Sequence, residues 1–222
     1  MKKKPLDFLG LNHKSTKRDY LKRVLEVKKS EAAVKAKKWG FDYWDGSRTI
    51  CYGGYHYDGR WEKIAKKFIK YYKLNNSSKI LDVGCGKGFL VYELKKLLPG
   101  AEILGIDISK YALRKGKKEI KKFLYYGSAC KLRFKKNYFD LVISLNTLHV
   151  LHCYDFYKAI KEINRVSKKN SYICVESYRN ENEKMNLLYW QVTCEMFCTI
   201  KEWEWWFKLT GYKGDYSYIF FK

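Results

Sequence analysis

The sequence predicts an α/β fold: a doubly wound, mostly parallel sheet behind an N-terminal helical and aromatic cap. Three observations carry that reading. Short runs that are apolar throughout (KILDVG, AEILGID, FDLVISL, SYICVES) recur between residues 79 and 177. Helical periodicity separates them, and strands buried on both faces with helices between them form a parallel sheet. Turn signals, NNSS at 75–78 and Pro99-Gly100, mark boundaries in the alternation.

Taken in order, residues 16–39 predict one or two helices with Tyr20, Leu21, Val24 and Leu25 on one face. Residues 40–60 are rich in aromatics and glycine, and CYGGYHYDGRW (51–61) has neither strand alternation nor helical spacing. Helix 61–72 follows, with Trp61, Ile64, Ala65, Phe68, Ile69 and Tyr72 on one stripe. Next come strand 79–84, helix 88–98, strand 101–107 and helix 109–122, the last with Ser109 as its N-cap. A short strand at 123–126 precedes strand 139–145. Helix 155–167 turns Phe156, Ala159, Ile160, Ile163 and Val166 inward, and strand 171–177 follows it. A helical region over 184–208 and a strand near 216–221 end the chain. Residues 1–60 are thus read as a helical extension with an aromatic lid, and residues 61–222 as the main domain.

With 222 residues, 46% of them hydrophobic, the chain can bury a sizeable core. No apolar run approaches the ~20 residues of a membrane span. The start, MKKKPLDFLG, has a basic head without an apolar segment, which excludes a signal peptide. Seven cysteines without CxxC spacing argue against a disulfide framework or zinc ribbon and for a cytoplasmic protein. Cys194 and Cys198 share a helical face, but no nearby histidine completes a metal site, so none is expected. The net charge of +23 comes mostly from lysines on nearly every helix. It reads either as solvated helix faces or as a footprint for an anionic partner.

The chemistry is densest in ILDVGCGKGFL, residues 80–90. Gly84, Gly86 and Gly88 join a strand to a helix start, where free N–H groups and a close backbone approach favour a ligand. The GxGxG spacing differs from the GxGxxG of dinucleotide sites. Asp82 would repel a pyrophosphate but suits an ammonium, and Asp107, nineteen residues after Gly88, suits both hydroxyls of a ribose. An amino-acid cation and a ribose in one ligand describe S-adenosylmethionine (SAM).

LDVGCGKG, then GIDIS, then FDLVISLNTLH resembles the class I, Rossmann-like SAM-dependent methyltransferases over about residues 78–177. The resemblance implies a sheet of six or seven strands. It places the methionine part of SAM on Asp82, Gly84, Cys85 and Gly86, the ribose on Asp107, and the adenine against Ile108. The usual acid after the third strand is replaced by GSACKL, so Ser128 and Ala129 take the adenine there, with Leu145 closing the site. The product would be S-adenosylhomocysteine.

In an open α/β sheet the acceptor lies beyond the carboxyl ends of the strands. That singles out Asn146, Thr147, His149 and His152 after the fourth strand, and Glu176, Tyr178 and Arg179 after the fifth. An oxygen acceptor needs a base, and His149 is the first choice because imidazole titrates near neutrality; a structural histidine in the turn is the other reading. Arg179 either grips an acceptor carboxylate or phosphate or forms a surface ion pair. CYGGYHYDGRW would close over the methyl group, with Tyr55, Tyr57 and Arg60 facing the ligands, or else pack as an entry loop. The absence of an Asn-Pro-Pro-Tyr motif and of any Pro-Cys pair disfavours adenine-N6, glutamine and covalent pyrimidine methylation. The expected function is methyl transfer to a small molecule, an oxygen of a phosphorylated or nucleotide-activated acceptor. YGGYxYDGRW and ESYRNE are similar to stretches of uncharacterised bacterial methyltransferases linked to surface-polysaccharide synthesis. The alternatives are an RNA ribose or guanine methyltransferase, and a SAM-binding interaction module without turnover.

Overall fold

The computed structural model describes residues 5–9 and 18–222. Its strands are β1 (Lys79–Val83), β2 (Glu102–Asp107), β3 (Leu124–Tyr126), β4 (Phe139–Leu145), β5 (Ser167–Glu176) and β6 (Asp215–Ile219). They form one sheet of order β3-β2-β1-β4-β5-β6 in which every neighbouring pair is parallel. β1 holds the centre, with Asp82 opposite Gly105 on one side and Ile143 on the other. The chain order reverses between β1 and β4, which opens a crevice beyond their carboxyl ends.

The helices of the main domain are α4 (Trp61–Tyr72), α5 (Phe89–Leu97), α6 (Lys110–Arg114), α7 (Cys153–Val166), α8 (Glu181–Trp190) and α9 (Ile200–Leu209). They follow the cap helices α1 (Tyr20–Glu26), α2 (Lys29–Ala36) and α3 (Phe41–Trp44). Alternate strand residues feed two cores, as the two-residue period of a strand requires. Ile80, Ile143, Tyr172 and Cys174 pack with Phe68 of α4 and Leu90 and Leu94 of α5. Leu81, Val142, Ile173 and Val175 pack with Phe156 and Ile160 of α7 and Trp203 and Phe207 of α9. A third, smaller core joins Ala32, Ala36, Tyr43, Trp44 and Ile50 of the cap to Ala112 and Val192 of the main domain. No described helix is long and apolar enough to cross a membrane.

Three elements differ from expectation. The helix expected over 109–122 ends at Arg114 and resumes as a 3-10 turn over Lys118–Phe123. Gly116 sits between the two pieces, where a Cβ would meet Leu124 Cδ1 at 2.8 Å. The segment 184–208 is two helices, and α9 is restarted by a capping box in which Thr199 and Glu202 bond reciprocally. On α1 only part of the expected apolar stripe packs inward: Tyr20 and Val24 are half-buried, Leu21 and Leu25 are 61% and 83% exposed, and Arg23 is buried. Arg23 donates to the carbonyls of Arg48 and Ile50 at 2.8 and 2.9 Å, so a polar stitch, not apolar burial, sets the roll of α1.

Phe68 is fully buried between the sheet and α4, whereas Phe41 is 57% exposed. Phe68→Ala is expected to cost about 3–5 kcal/mol through lost transfer energy and a residual cavity. Phe41→Ala should stay within about 0.5 kcal/mol. Urea unfolding of the two variants beside the parent checks the pair.

Candidate active site

The crevice at the carboxyl end of β1 is built by the glycine turn. Gly84 and Gly86 have φ of +79° and +55°. A Cβ on Gly84 would stand 2.1 Å from Thr147 Oγ1, and one on Gly86 2.6 Å from Trp44 Cη2, so the backbone there tolerates only glycine. Thr147 closes the turn by donating to the carbonyl of Leu145 at 3.0 Å. Asp107 ends β2, and its two oxygens accept the Gly86 and Ser109 amides at 2.8 and 2.7 Å. Burial lifts its carboxyl above the usual range, and the amides of Ser109, Gly86 and Ile108 pull against that lift.

Asp82 is 4% exposed and makes no hydrogen bond or ion pair among the described residues. Burial, then the charge of Asp107, pushes its carboxyl up to about 7. A buried carboxyl without a partner is costly, and a cationic ligand would supply one. Trp39, Tyr43, Trp44, Tyr52 and Tyr55 from the cap wall the same cleft. The cap is held there by a buried ion pair. Lys87, inside the glycine turn, reaches both oxygens of Asp45 at 2.6 and 2.7 Å and the Tyr55 carbonyl at 2.8 Å. The Asp45 carboxyl also accepts the Tyr111 hydroxyl at 2.9 Å. Partial burial opposes ionisation of Asp45, but Lys87, the Tyr55 amide and Tyr111 outweigh it and hold the carboxyl below its usual range. Trp44 Nε1 donates to Ser109 Oγ at 2.9 Å, a second fastening.

A second cavity of about 360 Å³ adjoins the cleft, and Tyr43, Tyr52, Tyr55, Trp61, Asn146 and Val150 line both. Asn146 follows β4 with φ +53°, and its buried Oδ1 lacks a partner. His149 and Glu176 form the next part of the wall, 2% and 5% exposed. Nε2 of His149 lies 3.4 Å from Oε2 of Glu176, and Gln191 donates to the other Glu176 oxygen at 2.5 Å. Burial drives the two in opposite directions, His149 down to about 3 and Glu176 up to about 8. Each is therefore uncharged at neutral pH.

The methyltransferase domain family model matches residues 74–211, more than half of the chain. The chain belongs to this family. Its cofactor is S-adenosylmethionine, and its sheet has the class I, Rossmann-like arrangement. The methyltransferase is 33% identical over 126 residues to an uncharacterized methyltransferase of Schizosaccharomyces pombe, covering 51% of this chain and 44% of that relative. It is 31% identical over 83 residues to malonyl-[acyl-carrier protein] O-methyltransferase of Bacillus anthracis, covering 36% and 31%. The chain spans about half or less of the length of the curated relatives it matches. In structure it is similar to the YcgJ protein of Bacillus subtilis, with a TM-score of 0.53 at 19% identity over 66% of each chain, a likeness of fold.

The methyltransferase brings Asp82, Gly84, Cys85, Gly86, Asp107, Ile108, Ser128, Ala129 and Leu145 to the one cleft. The glycine cradle and the unpaired Asp82 fit the cofactor's amino-acid end, and Asp107 at the mouth of β2 fits its ribose. Tyr55, Arg60, Asn146, His149 and Glu176 all line the second cavity. Four other expected site residues stand outside both. Tyr57 donates its hydroxyl to Glu93 and packs its ring on Phe89 and Tyr92. The Arg179 guanidinium pairs with Glu183 one helical turn on and lies over Phe220. His152 caps α7 with a side chain 78% exposed, and Tyr178 forms a parallel bridge with Thr199. The cap's Tyr43, Trp44 and Tyr52 and the Lys87–Asp45 pair are site features that sequence patterns did not single out. No group of three or more His, Cys, Asp or Glu among the described residues is placed to hold a metal.

Two outcomes follow for this site. Asp82 holds a proton below about 7, and only its ionised form pairs with an ammonium. SAM affinity should therefore rise with pH and level off above 7, falling by up to about ten-fold per unit below it. Calorimetric titrations across pH 5.5–8 should show that slope in the parent and none in Asp82→Asn. Asp45→Ala strands the Lys87 ammonium, whose side chain is 4% exposed. It should cost about 3–5 kcal/mol, read as a lowered urea midpoint with quenching of cap tryptophans lost first.

Proposed function

We propose that this protein methylates an oxygen of a small anionic acceptor seated in the second cavity, under a lid made of the cap. The observation that carries this reading is the junction at Tyr55 and Asn146, where the cofactor cleft meets a cavity walled by the His149–Glu176 pair. When bound, SAM supplies a methyl group already activated by its sulfonium, so the chain's tasks are alignment, water exclusion and proton removal. The unpartnered Asn146 Oδ1 would orient the acceptor by taking a polar hydrogen other than that of the reacting hydroxyl, whose proton is left for the base. Tyr43, Tyr52 and Tyr55 would keep water from that point.

Glu176 takes the part of general base that sequence reasoning gave to His149. An imidazole driven down to about 3 cannot keep a proton at neutral pH, whereas a carboxyl near 8 can take one. Its Oε2, which has no hydrogen-bond partner, would receive the hydroxyl proton, with neutral His149 fixing the direction of approach. Burial also isolates the dyad from bulk water. An O-methyltransferase among the relatives supports an oxygen acceptor, and a phosphorylated or nucleotide-activated compound fits the basic chain. The seven free cysteines suit a cytoplasmic enzyme. RNA methylation is the second reading, favoured by the net charge of +23.

Labelled SAM offered with separate small-molecule and RNA extracts tests the choice. Label is expected in the small-molecule pool, and stoichiometric label at one nucleotide would replace this reading with the second. With an acceptor in hand, kcat should rise with pH to a plateau above about 8. Glu176→Gln should lower kcat by about a hundred-fold or more and flatten the profile, with SAM affinity unchanged.

A further inference from the structure

Three arginines converge on one indole in the wall of the second cavity. The guanidinium carbons of Arg23, Arg48 and Arg18 stand 4.5, 5.1 and 5.3 Å from the Trp190 ring centroid. Arg23 comes from α1, Arg48 from the loop after α3, and Trp190 from the last turn of α8, so three separate segments are brought together. All four side chains line the cavity.

Two of the three, Arg23 and Arg48, have no carboxylate within ion-pair distance among the described residues. Arg23 is 7% exposed, and its Nε has no hydrogen-bond partner. Its other donors, and Nη1 of Arg48, go to backbone carbonyls. Glu176 shares the cavity but holds a proton at neutral pH, and Arg60 is paired with Asp58. Burial, and then repulsion by Arg48, lowers the proton affinity of Arg23. Holding a buried guanidinium beside a second one that is open to solvent is unfavourable unless an anion joins them. Guanidinium groups stacked on an aromatic face present flat, fixed forks, the geometry that binds an oxyanion through paired N–H bonds.

We propose that Arg23 and Arg48, steadied on Trp190, form an oxyanion subsite that seats the phosphate or carboxylate of the acceptor in the second cavity. The proposal rests on the reading of the second cavity as the acceptor site, but its test needs no turnover. Phosphate, diphosphate and malonate are titrated calorimetrically into the full chain at fixed ionic strength. At least one should bind with 1:1 stoichiometry, and preference for the phosphates or for malonate tells which group the subsite takes. Arg48→Gln, an exposed residue whose loss leaves the fold intact, should weaken that binding about ten-fold. Lys208→Gln, on the exposed face of α9, should leave it unchanged. Arg23→Gln should weaken it at least as much, read together with its melting temperature because Arg23 also ties α1 to the loop. Absence of 1:1 binding for all three probes, or equal losses in the Arg48 and Lys208 variants, overturns the subsite. Intact anion binding in a protein that methylates no small molecule would sink the proposed reaction and leave the subsite standing.

Discussion

The Asp45–Lys87 pair is the constraint on which the rest of this site depends. Lys87 belongs to the turn that shapes the cofactor cleft, and Asp45 to the cap that walls it. The same carboxyl receives Tyr111 of α6 and the Tyr55 amide, so four segments meet at one charge. A buried ion pair adds little net stability relative to an apolar substitute, yet it is unforgiving of misplacement. Its contribution here is therefore one of position. With Asp45 fixed, Trp44 must lie over Gly86 and Tyr55 must face the junction of the two cavities.

The two cavities carry opposite electrostatic character. The cofactor cleft presents Asp82 and Asp107, and the adjoining cavity presents arginines around Trp190. On the proposed reading, a cationic amino acid and an anionic acceptor are each favoured in one chamber and disfavoured in the other, which separates them before any shape is read. The uncharged His149–Glu176 pair lines the second of these cavities. Burial holds the Glu176 proton more tightly than an ordinary carboxyl would, so the pair carries no full charge at neutral pH.

Much of the fold was legible because its signals are local. Four of the six strands announced themselves as apolar runs, and the residues lining the glycine-turn cleft fall within a few positions of strand ends. Legibility ended where a side chain's direction depends on a distant partner. The aromatic run before the first strand placed Tyr57 near the site, and position after a strand placed Arg179, His152 and Tyr178 there, but Glu93, Glu183, solvent and Lys184 claim them. The helix over 109–122 looked continuous because periodicity does not register the contact of Gly116 with Leu124. The aromatic wall was unreadable because the contact that places it joins residues 42 apart. The opposite shifts of His149 and Glu176 were hidden because proton affinity follows burial, which has no signature in residue type alone.

The fastening of the cap to α6 also has a temporal side. Asp45 and Tyr111 are 66 residues apart. At a synthesis rate of about 5–20 residues per second, the cap leaves the ribosome seconds before its anchors exist. Through that interval Tyr43 and Trp44, both under a tenth exposed in the finished protein, have only their cap neighbours to settle on. The cap is thus made before the surfaces of the main domain that hold it. A newborn chain passes through a stage with an aromatic flank uncovered, and it is there that a holding chaperone, or a neighbouring nascent chain, would meet it.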